Sequence, residues 1–129
     1  MLVKVRENGK VEPITVQVHD QRFRQWKMHL APADFQQICD ALNEYTDNQG
    51  HGEIVTSSWI PGADWALTPY QPIYEAMGQD REMARFFFGL IVWNVFLKRT
   101  ETWSFGRYPK HEGEVIGMTY FRVEIPALS

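Results

Sequence analysis

The chain has 129 residues, inside the range of about 100–150 that a single domain most often takes, so one globular domain over 1–129 is expected. Its 44% apolar and 14% aromatic content exclude a disordered chain, and a net charge of −3 is too small to mark the whole molecule as a nucleic-acid or membrane binder. The single cysteine, Cys39, excludes both an intrachain disulfide and a cysteine-based zinc site.

The first thirty residues read as strands. Leu2 to Arg6 and Val11 to His19 flank Glu7-Asn8-Gly9-Lys10, and Asn-Gly is a strong hairpin signal. Pro13 lacks an N–H, which places the second strand at an edge or starts it there. Trp26, Met28 and Leu30 alternate with Lys27 and His29, the pattern of a third strand.

Pro32 then opens a helix at its first position, where the missing N–H costs nothing. Phe35, Ile38, Leu42 and Tyr45 recur at the helical period and form an apolar face, with Gln37, Asp40 and Glu44 opposite. Cys39 falls on the flank of the apolar face as a small buried thiol. The turn formers Thr46-Asp47-Asn48-Gln49-Gly50 end this helix. Ile54 to Ile60 is strand-like, and Pro61-Gly62 ends it.

A loop from Ala63 to Pro72 follows, then a short helix from Pro72 that stops before Gly78. Asp80 is placed to cap a long helix over Arg81 to Arg99, with Glu82 at its start and Lys98 and Arg99 at its end matching the helix dipole. Its middle is apolar on every face, so it reads as the core helix, with Phe87, Leu90, Ile91 and Val95 buried. Gly89 in its interior implies an element crossing closely there. Strands Thr102 to Tyr108 and Val115 to Ile125 complete the chain. The order predicts an α+β fold, a mainly antiparallel sheet packed against the long helix and one or two shorter ones.

Met1 to Arg6 alternates apolar and charged residues and lacks the continuous apolar run of a signal peptide. The longest apolar stretch, Phe86 to Leu97, falls short of the roughly 20 residues that span a bilayer. A cytoplasmic protein with no membrane partner is expected.

Charge is distributed unevenly. Residues 1–30 balance at +3 and residues 81–129 at +2, while residues 31–80 hold eight Asp/Glu and no Lys or Arg. An acidic middle segment of this kind either pairs with the basic hairpin of the same chain or docks a basic partner. Inside it lies the aromatic run Trp59 to Tyr70, with two Trp, one Tyr and two Pro. Trp and Tyr give large contact area for little rotamer entropy, which suits them to binding hot spots. Asp40, Glu44, Asp64, Trp65 and Tyr70 are therefore the candidate partner-binding residues, with a basic protein surface as the expected partner.

Catalytic signatures are absent from the sequence. There is no H-E-x-x-H, no phosphate-binding glycine loop and no G-x-S-x-G elbow, so no cofactor is expected. Two rival readings remain. A metal-assisted hydrolase would draw on His51, Glu53, His111, Glu112 and Glu114, which pair imidazoles with carboxylates in turns. A single-stranded nucleic-acid module would need Phe23 or Trp26 exposed beside Arg22, Arg24 and Lys27. The leading expectation is a small non-catalytic protein, an inhibitor or accessory factor, that acts by binding another protein.

Overall fold

A computed structural model of the chain describes residues 1–6, 8–48, 53–55, 68–108 and 117–123. Strands β1 (Leu2–Val5) and β2 (Val11–Ile14) form the N-terminal hairpin, followed by helices α1 (Asp20–Lys27) and α2 (Pro32–Asp47). Strand β3 (Glu53–Val55), helices α3 (Gln71–Ala76) and α4 (Arg81–Lys98), and strands β4 (Trp103–Tyr108) and β5 (Gly117–Arg122) complete the order.

The fold is α+β, with five strands in the order β2-β1-β4-β5-β3. Three of the pairings are antiparallel, while β1 runs parallel to β4 with Leu2 opposite Trp103. The sheet is therefore mixed rather than purely antiparallel. The parallel pair arises because the chain returns from β2 to β4 through the helical layer and not by a hairpin. Pro13 sits on β2, the edge strand, where its missing N–H leaves no ladder bond unmade.

Helix α4 is the core. Phe87 and Ile91 are fully buried, and Leu90 and Val95 nearly so. The helix starts where Asp80 accepts a hydrogen bond from the Met83 N–H at 3.0 Å, satisfying one of the free donors of the first turn. Its C-terminal half lies on the sheet. Phe96 stacks on Tyr120 at 4.2 Å and meets the edge of Trp103 at 4.8 Å, and Trp93 contacts Phe105 at 4.7 Å. Past its end, the Met1 ammonium donates to the carbonyls of Phe96, Arg99 and Glu101, a cation at the negative pole of the helix.

Three expectations are corrected. The second strand ends at Ile14 rather than His19, and the third strand placed over Trp26 to Leu30 is helix α1 and its exit turn. Phe23, Trp26 and Leu30 follow the helical spacing, and Met28, the middle member of the supposed alternation, is 85% exposed. Gly89 lies on a solvent-facing stretch of α4, and a Cβ built there meets nothing within 4 Å. The segment that does cross α4 is Val16–Gln17, which meets Leu90 and Trp93, one and four residues beyond Gly89. There the Trp93 indole donates to the Val16 carbonyl at 3.2 Å, and Gln17 Nε2 donates to the Leu90 carbonyl at 3.2 Å.

Candidate functional site

Helix α2 buries Ile38 and Leu42 completely, which fixes the rotation of everything else on it. Phe35 packs partly against the core, while Tyr45 is 41% exposed and closes the apolar face less tightly than its spacing implied. Gln37, Asp40 and Glu44 all emerge on the solvent side. They recur at i, i+3 and i+7, so they form one stripe about 10 Å long at 1.5 Å rise per residue.

The N-terminal end of this stripe borders an open cleft of about 530 Å³. Three separate segments build it. The turn after α1 contributes His29 and Leu30, α2 contributes Asp34 and Gln37, and residues 68–72 with α3 contribute Thr68, Gln71 and Glu75 among others. Among its described lining residues are two carboxylates and one imidazole and no Lys or Arg.

Most of the described carboxylates of the acidic segment form no ion pair with a described cation. The ion pairs among the described residues are Arg6–Glu12, Arg24–Asp20, Arg99–Asp47 and Arg99–Glu101. Arg6 and Arg24 are thus satisfied locally, within the hairpin and within α1. Arg99, whose side chain is 9% exposed, ties α2 to the end of α4 by holding Asp47 and by donating to Asn43 Oδ1 at 2.7 Å. Among the described carboxylates of residues 31–80, Asp47 is the one that pairs with a described cation, and that cation caps the end of α4 rather than belonging to the N-terminal hairpin. Asp34, Asp40, Glu44 and Glu75 make no ion pair with a described residue. Asp40 accepts from Gln36 Nε2 at 2.9 Å, and Glu75 accepts from Gln79 Nε2 at 3.3 Å. Both bonds are to neutral amides, which hold the carboxylates in place without discharging them.

Tyr70 stands beside the cleft but points inward. Its ring meets Phe88 edge-on at 5.0 Å, and burial pushes its hydroxyl pKa up. It braces the wall formed by its neighbours Pro69 and Gln71. Asp64 and Trp65 lie outside the described residues, as do His51, His111, Glu112 and Glu114 and residues 56–60 of the expected strand over Ile54 to Ile60. Glu53 is placed by its backbone pairing with Phe121 in the sheet. Among the described residues no group of three or more His, Cys, Asp or Glu could hold a metal ion, and no helix is long and apolar enough to cross a membrane.

The aromatic residues of α1 do not offer open stacking faces. Phe23 is 5% exposed and packs against Phe35 and Phe87. Trp26 is half-buried, with Phe86 and Phe87 against it edge to face and the Arg22 guanidinium 5.5 Å from its ring centre. Cys39 is half-buried on the flank of α2, where desolvation raises its thiol pKa and keeps it un-ionised at neutral pH.

Sequence reasoning found the stripe through its lack of cations. It missed the cleft, because His29, Asp34, Thr68 and Glu75 converge only in the fold. No family model matches this chain, and neither a curated protein nor a solved structure does.

Proposed function

We propose that this chain is a non-catalytic binding protein, which docks a protein partner with a basic surface on the α2 stripe and the cleft at its end. One observation carries the reading. Asp34, Asp40, Glu44 and Glu75 pair with no described cation, and the cleft beside them has none among its described lining residues. Carboxylates gathered here without ion pairs favour a negative potential, although Lys27 rests on Phe35 of α2. Such a potential speeds encounter with a basic partner and rejects acidic ones. The carboxylates supply the charged rim, the cleft supplies a concave seat, and Trp65 remains the aromatic anchor expected from the sequence.

The test is affinity capture from native lysate, with the wild-type chain run beside Asp40→Lys/Glu44→Lys and Trp65→Ala. Identified partners should carry basic surfaces, elute as salt rises and be lost by the charge-reversed variant. In a purified pair, charge reversal should slow association while Trp65→Ala speeds dissociation, since rim charges steer and buried anchors hold. Capture that is indifferent to salt and intact in all variants would remove the proposed surface.

A further inference from the structure

The acidic stripe has a counterpart on the same molecule. Helix α1 carries Arg22, Arg24 and Lys27 against a single carboxylate, Asp20, which Arg24 engages at 2.9 Å. Arg22 and Lys27 are left without an ion pair among the described residues. Both are held in place by aromatic rings. The Arg22 guanidinium lies 5.5 Å from the centre of Trp26 and 5.4 Å from that of Phe86, and Lys27 Nζ lies 4.4 Å from that of Phe35. Cations fixed on rings lose less rotamer freedom when an anion docks.

Apolar exposure concentrates around the same helix. Val16 is 70% exposed and Val18 38% just before it, Met28 is 85% exposed at its exit, and Phe86, 39% exposed, touches His19, Arg22 and Trp26. A basic surface with apolar side chains at both ends is what the α2 stripe, with exposed Tyr45 nearby, would select.

We propose that the chain associates with a second copy of itself head to tail, the α1 surface of one copy resting on the α2 stripe of the next. This rests on the reading of α2 as a docking surface and names its partner. The two surfaces are unlike, so each contact is heterologous; because they adjoin where Lys27 reaches Phe35 of α2, the assembly closes as a ring of two or more copies or continues as a short filament. The net charge of −3 is small and spread over the whole chain, while the facing patches meet at contact distance, where the attraction is strongest.

The experiment is sedimentation velocity on the whole chain at low and high salt. At low salt the weight-average mass should rise with concentration above the 15.1 kDa of one chain, and high salt should return it to one chain. Arg22→Gln/Lys27→Gln and Asp40→Asn/Glu44→Gln should each be monomeric alone. Mixed in equal amounts they should form a complex of two chains and nothing larger, since each variant keeps one working surface. A monomeric wild type at low salt, a mixture that stays monomeric, or self-association that persists in both variants overturns the proposal. Titration with an oligolysine peptide separates the two readings. Peptide binding that is lost only in Asp40→Asn/Glu44→Gln, by a chain that does not self-associate, keeps the α2 surface and rejects the second copy. No binding to the wild type rejects the surface itself.

Discussion

Gln17 and Asn94, 77 residues apart in sequence, are joined through their side-chain amides. Asn94 Nδ2 donates to Gln17 Oε1 at 3.1 Å, and Gln17 Nε2 in turn donates to the Leu90 carbonyl. Asn94 is the polar residue in an otherwise apolar stretch of α4 and is only 8% exposed, so this bond spares it an unmet desolvation cost. Gln17→Ala strands the Asn94 amide and should cost about 1–3 kcal/mol in urea unfolding. Combining it with Asn94→Ala should cost clearly less than the two single changes together. Additive costs would show that the pair is not coupled.

Gly89 gives the opposite sign. It is exposed within α4, and an added Cβ meets nothing within 4 Å, so only the entropy cost of glycine remains. Gly89→Ala should stabilise the fold by about 0.5–1 kcal/mol, read as a higher thermal midpoint. A lower midpoint would reveal a contact at that face.

Ile91, two residues further along the same helix, is fully buried among the core residues. Ile91→Ala should cost about 2–5 kcal/mol, the usual range for a large-to-small change in a packed core. A loss below about 1 kcal/mol would mean that α4 is not the centre of the fold.

Acid should act through Glu101. Its hydrogen bond with Arg99, at 2.7 Å, pulls its carboxyl pKa below the ordinary value of 4.5. The unfolded chain then binds the proton more readily than the folded one. The stability this contributes is complete above about 4.5 and is lost as pH falls through the folded value. Glu101→Gln should lower the midpoint near neutral pH, and the gap from wild type should close in acid. A gap independent of pH would show that the pair contributes nothing electrostatic.

Local signals were legible in the sequence and tertiary ones were not. Pro32 at the start of α2, the period through Ile38 and Leu42, and the Asp80 cap of α4 each depend on neighbours within a few residues. Helix α1 was hidden because Trp26 and Leu30 fit two periods at once, and only the exposure of Met28 decides between them. The parallel pairing of Leu2 with Trp103 has no local signature, and neither does the side of α4 on which Gly89 falls. At the candidate site the unpaired carboxylates could be anticipated from a run without cations. The cleft could not, because three stretches of chain meet to form it.

Strand β1 lies between β2 and β4, although Leu2 and Trp103, which pair across β1 and β4, are about a hundred residues apart in sequence. During synthesis the β1–β2 hairpin can close at once, but its other edge has no partner until Trp103 and the residues after it have left the ribosome. Until then the nascent chain presents Leu2–Val5 as an open apolar edge, a template for pairing with another chain. The yield of native protein should then depend on how quickly the stretch from α2 to β4 is delivered, and slow codons there should favour aggregation over folding.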